Sequence, residues 1–419
     1  MKELRTFLIA LLFPTPQQNF ILVGRLLAMS SSTASCSYAR PKFAIASLSL
    51  GSNAHHDLPT KIHVTSELGY DGIEIFIPDF EGFVDEVREG KHSALIAEPV
   101  ASMSSAELDL VCATAIYNLC ESVELEIPLF QPFRNFENFH SQAQIDAGLA
   151  DAERWLRIMP AMKCDLLLVC SNYVPGPYPV SEDYTLEMYC DAQVDAFRQL
   201  GALAEKYGVR IGYEPLSWGT VINNWMQVWS IVKRVDRENV GVLLDSFNTL
   251  GNQYADPGQP STIPGICYDD EDMPGRMKWS RACRVFPCEP PAESNPSFYS
   301  DPENPPTGYL GFLPVAQMTS FVHRTGYRGW WSLEVFNSSL QESDSACPER
   351  HGCRGIDGLR SLWEVVKSDP VSHANVEHGL EARLNALGLE QRSLYAQSFD
   401  AAAVNRKSER FKRGLRCVE

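Results

Sequence analysis

Four acidic residues sit in or end apolar runs that read as β-strands. They are Glu74 in Gly72-Ile-Glu-Ile-Phe76, Glu214 ending Val209-Arg-Ile-Gly-Tyr-Glu214, Asp245 ending Val240-Gly-Val-Leu-Leu-Asp245, and Glu334 in Gly329-Trp-Trp-Ser-Leu-Glu-Val-Phe336. Carboxylates are rarely buried unless they are paired or bind a cation. For any single acid, an ion pair with a nearby Arg or Lys is an equal explanation. For Glu214, Asp245 and Glu334 together, at equivalent strand ends, a shared cation is the better one. An oxygen-rich set suits Mg²⁺ or Mn²⁺, with Co²⁺ a further candidate, and the scarcity of His and Cys around it disfavours zinc. Arg134 follows a third run, Leu125-Glu-Ile-Pro-Leu-Phe130, and its planar guanidinium suits a bidentate grip on a carboxylate. His55 and His56 lie in the loop after the first strand and are candidate proton carriers; a solvated loop pair is the plainer reading.

These residues need a scaffold that gathers strand ends. Strand-like runs at 43–50, 72–76, 125–130, 165–170, 209–214, 240–245 and 329–336 alternate with helical patterns at 59–68, 105–121, 142–160, 182–206, 221–235, 314–325 and 357–367. Such alternation is the signature of βα units and a parallel sheet. Eight units closing on themselves form a (β/α)₈ barrel, whose active residues gather at the C-terminal ends of its strands. The expected fold class is therefore α/β, a TIM barrel. Seven strands are clear; residues 250–313 are rich in Pro, Gly and Asp and offer only Ala282–Phe286, so the strand 7 region is truncated or irregular. Residues 1–41 are expected to be a disordered or extraneous extension, 42–368 the barrel with an irregular insertion at 255–312, and 369–419 a polar tail with a basic end. No glycine fingerprint follows an early strand, which argues against a Rossmann fold.

The totals narrow the partners. A net charge of −17, from 53 acidic and 36 basic residues, argues against nucleic acid. No stretch reaches the ~18 apolar residues that span a bilayer. The run Phe7–Phe13 follows Lys2 and Arg5 as a short signal would, but Pro14 and Pro16 break it and no small-x-small cleavage site follows, so a cytoplasmic protein is expected. Twelve cysteines, several inside apolar runs, are neither a disulfide scaffold nor spaced as a zinc site. A small-molecule substrate is the expected partner.

The segments Tyr213-Glu-Pro-Leu-Ser-Trp-Gly219, Val235-Asp-Arg237, Leu244-Asp-Ser-Phe-Asn248, Tyr254-Ala-Asp-Pro257 and Gln131-Pro-Phe-Arg134 resemble the fungal 3-dehydroshikimate dehydratases. These enzymes lie within the xylose-isomerase-like sugar-phosphate isomerase/epimerase barrels. The resemblance runs over most of residues 42–368. It implies a divalent metal held by Glu214, Asp245, a Gln or His on strand 7, and Glu334, with Arg134 on the substrate carboxylate and Trp218 a substrate contact. It implies dehydration through an enolate. Asn248 stands where bacterial relatives tend to carry a His, so that base is absent. The chain also departs from the pattern. Met277-Lys-Trp-Ser-Arg281 begins only 20 residues after Pro257, a gap too short and too broken for a helix plus a strand, so the segment carrying the fourth ligand is expected to be missing. In one rescue, Ala282–Phe286 serves as strand 7 and Glu289 approaches the metal. The runner-up function is a sugar isomerase or epimerase with Glu74 as a second acid/base.

Overall fold

The computed structural model describes residues 40–96, 98–173, 185–251, 284–288, 313–325 and 327–368, together with the backbone of 4–5 and 9–12. The barrel strands are β1 (Phe43–Ala46), β2 (Gly72–Phe76), β3 (Phe130–Phe133), β4 (Leu166–Cys170), β5 (Arg210–Glu214), β6 (Val240–Asp245) and β8 (Trp331–Leu333). A two-residue strand, β7, spans Arg284–Val285. The helices are α1 (Leu58–Glu67), α2 (Ile77–Arg88), α3 (Ser105–Ser122), α4 (Gln142–Ile158), α5 (Leu186–Glu205), α6 (Trp225–Val235), the short α7 (Ser246–Gly251), α8 (Val315–Arg324) and α9 (Cys347–Lys367).

Seven strands run parallel in the order β8-β1-β2-β3-β4-β5-β6. All residues of β4 and β6 are buried, as expected for strands covered by helices on one side and a barrel interior on the other. The helices start where the sequence supplies side-chain caps. Asp57 accepts from the Thr60 N–H at α1, and Ser104–Glu107 and Asn224–Gln227 form capping boxes at α3 and α6.

The eighth position is the irregular one, as the sequence predicts, but its occupant is unexpected. Residues Ile9–Leu12 pair antiparallel with β6, Ile9 opposite Asp245 and Leu12 opposite Val242, and lie beside β8. The expectation of a disordered N-terminal extension is thus corrected for this segment: an open edge on β6 leaves backbone groups unpaired, and an apolar segment of the chain's own N-terminus covers them. β7 does not join β6. It pairs in parallel with Leu4–Arg5, and the Arg284 N–H donates to the Phe336 carbonyl at 3.1 Å, beyond the end of β8.

Three further expectations shift. The third strand is Phe130–Phe133, not 125–130; Glu126 and Leu129 still accept backbone N–H bonds from β2, but Pro128 interrupts the ladder. Helix α2 follows β2 with no loop and was not foreseen, its start marked only by Pro78. Helix α9 begins ten residues earlier than expected, because Gly352, Gly355 and Gly358 break the apolar pattern without breaking the helix. A Cβ at Gly352 would lie 2.4 Å from Leu68 Cδ1 and one at Gly358 2.6 Å from the Pro287 carbonyl, so these glycines let the helix approach the barrel closely.

Candidate active site

Glu214 ends β5, Asp245 ends β6, and Glu334 follows β8. All three are buried. Glu214 and Asp245 are neighbours close enough for the charge of Asp245 to raise Glu214. Burial, then the neighbouring charges of Asp245 and Glu334, hold Glu214 well above the ordinary carboxylate range. Burial pushes Glu334 up to about 7, the Arg284 cation opposing this and Asp245 adding to it. Asp245 is raised by burial, with Arg284 again opposing. Three acids from three strand ends therefore act on one another electrostatically. Asn248, on α7, bridges two of them: its Nδ2 donates to Glu214 Oε1 at 3.1 Å and to Asp245 Oδ2. An amide is not a base at neutral pH, and here its hydrogens are spent on holding acids.

Arg284 is the residue that sequence reasoning passed over. It is 1% exposed, and its guanidinium carbon lies 3.9 Å from the Phe247 ring centroid, 4.7 Å from that of Phe336 and 5.7 Å from that of Trp218. Each ring stands a few residues past one of the acids, so the cage hangs directly on the acid-bearing strands. A signal existed: Arg284 is a charge inside the apolar run Cys283–Phe286, the same pattern that drew attention to the acids. Trp218, the expected substrate contact, is half-buried and faces Phe247 and Arg284. Glu289, the expected rescuing ligand, lies outside the described residues.

Arg134 is exposed at the end of β3, its guanidinium carbon 5.9 Å from the Phe76 ring centroid, and its charge favours ionised Glu334. The histidines are not brought to the acids by any described contact. His56 is buried and its Nε2 is bonded to the Glu342 carbonyl at 2.9 Å, while His55 is exposed. The His56 ring packs over Gly51, where φ is +124° and a Cβ would lie 2.4 Å from His56 Cδ2. This ring joins two loops and is not placed as a proton carrier.

Glu74 is placed otherwise than expected. It points into the barrel, where Gln131 Nε2 donates to its Oε2 at 2.8 Å. Burial pushes it up to about 8. It also lines a cavity of about 490 Å³ with Leu125, Ile127, Leu166, Arg210 and Trp330, residues that precede or open strands β3, β4, β5 and β8. Glu74 therefore lies on the N-terminal side of the acid trio, within reach of the charges of Glu334 and Asp245.

The trio fits a divalent cation in charge and donor type: three buried carboxylates raise one another's proton affinity, and a hard cation removes that repulsion. Closure around a single point is a separate matter. Among the described residues no group of three or more His, Cys, Asp or Glu side chains is arranged to hold an ion.

With this geometry in view, a family profile described as "Xylose isomerase-like TIM barrel" matches residues 62–357. The chain belongs to that family. It is similar to the 3-dehydroshikimate dehydratase of Neurospora crassa, 28% identical over 368 residues, which cover 78% of this chain and 94% of that protein. It is 34% identical over 312 residues to the 3-dehydroshikimate dehydratase of Pseudomonas aeruginosa, covering 73% of this chain but 39% of the bacterial relative. Among solved structures, a xylose isomerase-like TIM barrel/4-hydroxyphenylpyruvate dioxygenase fusion protein superposes with a TM-score of 0.51 at 29% identity, covering 77% of this chain and 42% of that one.

Proposed function

We propose that this chain is a divalent-metal-dependent hydro-lyase that converts 3-dehydroshikimate to protocatechuate, in an impaired form. What carries the reading is the meeting of a carboxylate trio with two arginines at one barrel mouth, in a chain aligned with a dehydratase across 94% of the latter. Glu214, Asp245 and Glu334 would hold the cation, whose chemistry when bound is stabilisation of negative charge on the ketone oxygen. Arg134 grips the substrate carboxylate and fixes which carbon faces the acids. Arg284, its guanidinium held by Phe247, Phe336 and Trp218, supplies a second positive charge beside them. A proton leaves the carbon next to the ketone, the β-hydroxyl departs as water, and aromatisation drives the sequence forward. Asn248 keeps Glu214 and Asp245 in register throughout. The isomerase/epimerase alternative needs a second acid/base at the mouth, and Glu74 lies on the far side of the trio. No helix among the described residues is long and apolar enough to cross a membrane. The described cysteines are all free thiols, which suits the cytoplasmic setting that we assign.

Impairment follows from the eighth position. Its slot holds an antiparallel N-terminal segment, and no strand in the described barrel brings a fourth ligand. Displacement of a bound ketone by ~1 Å costs on the order of 10²-fold in rate. The test supplies 3-dehydroshikimate with Mn²⁺ or Mg²⁺ and follows the absorbance of the aromatic product. We expect turnover roughly 10²-fold below that of the Neurospora relative, and recovery when that relative's helix–strand segment is inserted after Pro257. Full turnover by the chain as it stands would remove the impairment. Silence from the restored chain would remove the substrate.

A further inference from the structure

The loop that carries Arg134 to the mouth is tied down by a buried carboxylate that the mechanism above does not use. Glu137 is 6% exposed. Its Oε2 accepts the backbone N–H of Asn172, just past β4, at 2.5 Å, and its Oε1 accepts the Tyr213 hydroxyl at 3.0 Å. Tyr213 immediately precedes Glu214 on β5. Successive residues of a strand face opposite sides, so the strand that turns Glu214 into the barrel turns Tyr213 outward, and there Glu137 meets it. The bond thus links the Arg134 loop to the strand that bears the first acid.

The rest of the loop is built around the same attachment. The Asn135 N–H donates to Asn172 Oδ1 at 3.0 Å, and Gln193 Nε2 donates to the Phe136 carbonyl at 2.9 Å. Asn135 and Asn138 take left-handed conformations, φ +62° and +67°, so the chain bends on both sides of Glu137. Phe136 packs edge-on against Phe139 and Phe197 and at a tilt against Phe133. Asn172 N–H donates to one oxygen and Tyr213 O–H to the other, an arrangement that an ionised carboxylate satisfies at both oxygens. Desolvation opposes this by raising Glu137 to about 7, offset in part by the same two donors. A hydrophobic residue would fill this volume at less cost, which makes a fixed geometry the gain.

We infer that Glu137 is a positioning residue for substrate: its carboxylate sets Arg134 relative to Glu214 at the barrel mouth. The inference rests on the proposed role of Arg134 as the grip on the substrate carboxylate.

The test measures calorimetric binding of protocatechuate, and of catechol as the same ring without the carboxylate. The proteins are the wild-type chain, Arg134→Ala, Glu137→Gln, Tyr213→Phe and the double variant Arg134→Ala/Glu137→Gln. Glu137→Gln should weaken protocatechuate binding about 10-fold, the scale of one charge-assisted hydrogen bond. Tyr213→Phe should do so less, and neither should change catechol binding. In the Arg134→Ala background, Glu137→Gln should have no further effect. Additive losses, equal losses for catechol, or no loss would each overturn the inference. Hydrogen exchange of amides 134–139 and of Asn172 reads the attachment without ligand: Glu137→Gln should speed it, and unchanged exchange overturns the inference. Failure of the wild-type chain to bind protocatechuate would instead count against the substrate reading and leave the exchange data to decide on Glu137.

Discussion

Asn248 stands between Glu214 and Asp245, giving one amide group to both carboxylates while its own oxygen takes the Ser217 N–H at 3.0 Å. The side chain is therefore fixed at three points inside a cluster of acids. Asn248→Ala removes two donors from buried carboxylates and should lower thermal stability by about 1–3 kcal/mol. Asn248→Asp puts a fourth carboxylate beside the trio. In chelator it should be the less stable of the two, and in Mn²⁺ it should bind the ion more tightly than the wild-type chain. Thermal unfolding with and without Mn²⁺ reads both effects, and a variant as stable as the parent in chelator would show that Asn248 does not tie the acids.

The acids themselves should show effects of opposite sign. Glu214→Gln and Glu334→Gln each replace a buried acid, whose charged form burial disfavours, with a neutral amide of similar size. In chelator each variant should melt no lower than the parent, because the amide has no ionised form to desolvate. In Mn²⁺ each should lose the stabilisation that binding confers on the parent. Melting curves at a series of Mn²⁺ concentrations decide the matter. Loss of stability in chelator with unchanged response to Mn²⁺ would describe structural ion pairs and not a cation site.

Much of this site was legible because the sequence signal and the physical cause coincide. A charge that ends or interrupts an apolar run is expensive to bury, so Glu214, Asp245 and Glu334 could be picked out before any geometry was known. The same signal marks Arg284, but its run is short and a single cation there is as readily a partner for one acid. Arg134 could be placed because it follows a strand. The histidines could not: His55 and His56 are chemically apt, and only the bond from His56 to the Glu342 carbonyl shows that the ring fastens loops together. Glu137 and Asn248 act through partners far off in the chain, Tyr213 and Glu214, and no local pattern reveals such pairings. Helix α9 was shortened in the sequence reading by glycines whose purpose, close approach to Leu68 and Pro287, is visible only in three dimensions.

Glu74 makes a pH prediction. Its folded-state pKa, about 8, lies above the ordinary value of 4.5 because burial disfavours the charge. A raised carboxyl pKa means that the folded state holds the proton more tightly than the unfolded state does. That contribution to stability is complete below about 4.5, declines as pH rises, and is lost once pH passes about 8. Glu74→Gln carries no such titration. In chelator, the melting temperature of the parent should fall relative to Glu74→Gln between pH 5 and pH 9, by at least about 5 °C on the scale of a few kcal/mol. Parallel curves over that interval would place the Glu74 proton elsewhere.

The eighth barrel position gives the last prediction. Ile9, Ala10, Leu11 and Leu12 lie opposite Asp245, Leu244, Leu243 and Val242, so the N-terminal segment covers the β6 edge across four residues. Removing residues 1–28 uncovers that edge, and an uncovered edge strand recruits other chains. The truncated protein should melt lower by several degrees and associate as its concentration rises, whereas the full chain should not. The deletion also frees the slot beside Asp245, so Mn²⁺ affinity should change along with stability; a remote disordered tail would leave both untouched. Replacing Ile9–Leu12 with a Gly/Ser sequence of equal length separates strand pairing from simple chain length, because such a segment has little tendency to form strands. The replacement should behave as the deletion does. If instead both variants melt with the parent and stay monomeric, the segment does not fill the barrel, and the β6 edge must be satisfied by another part of the chain.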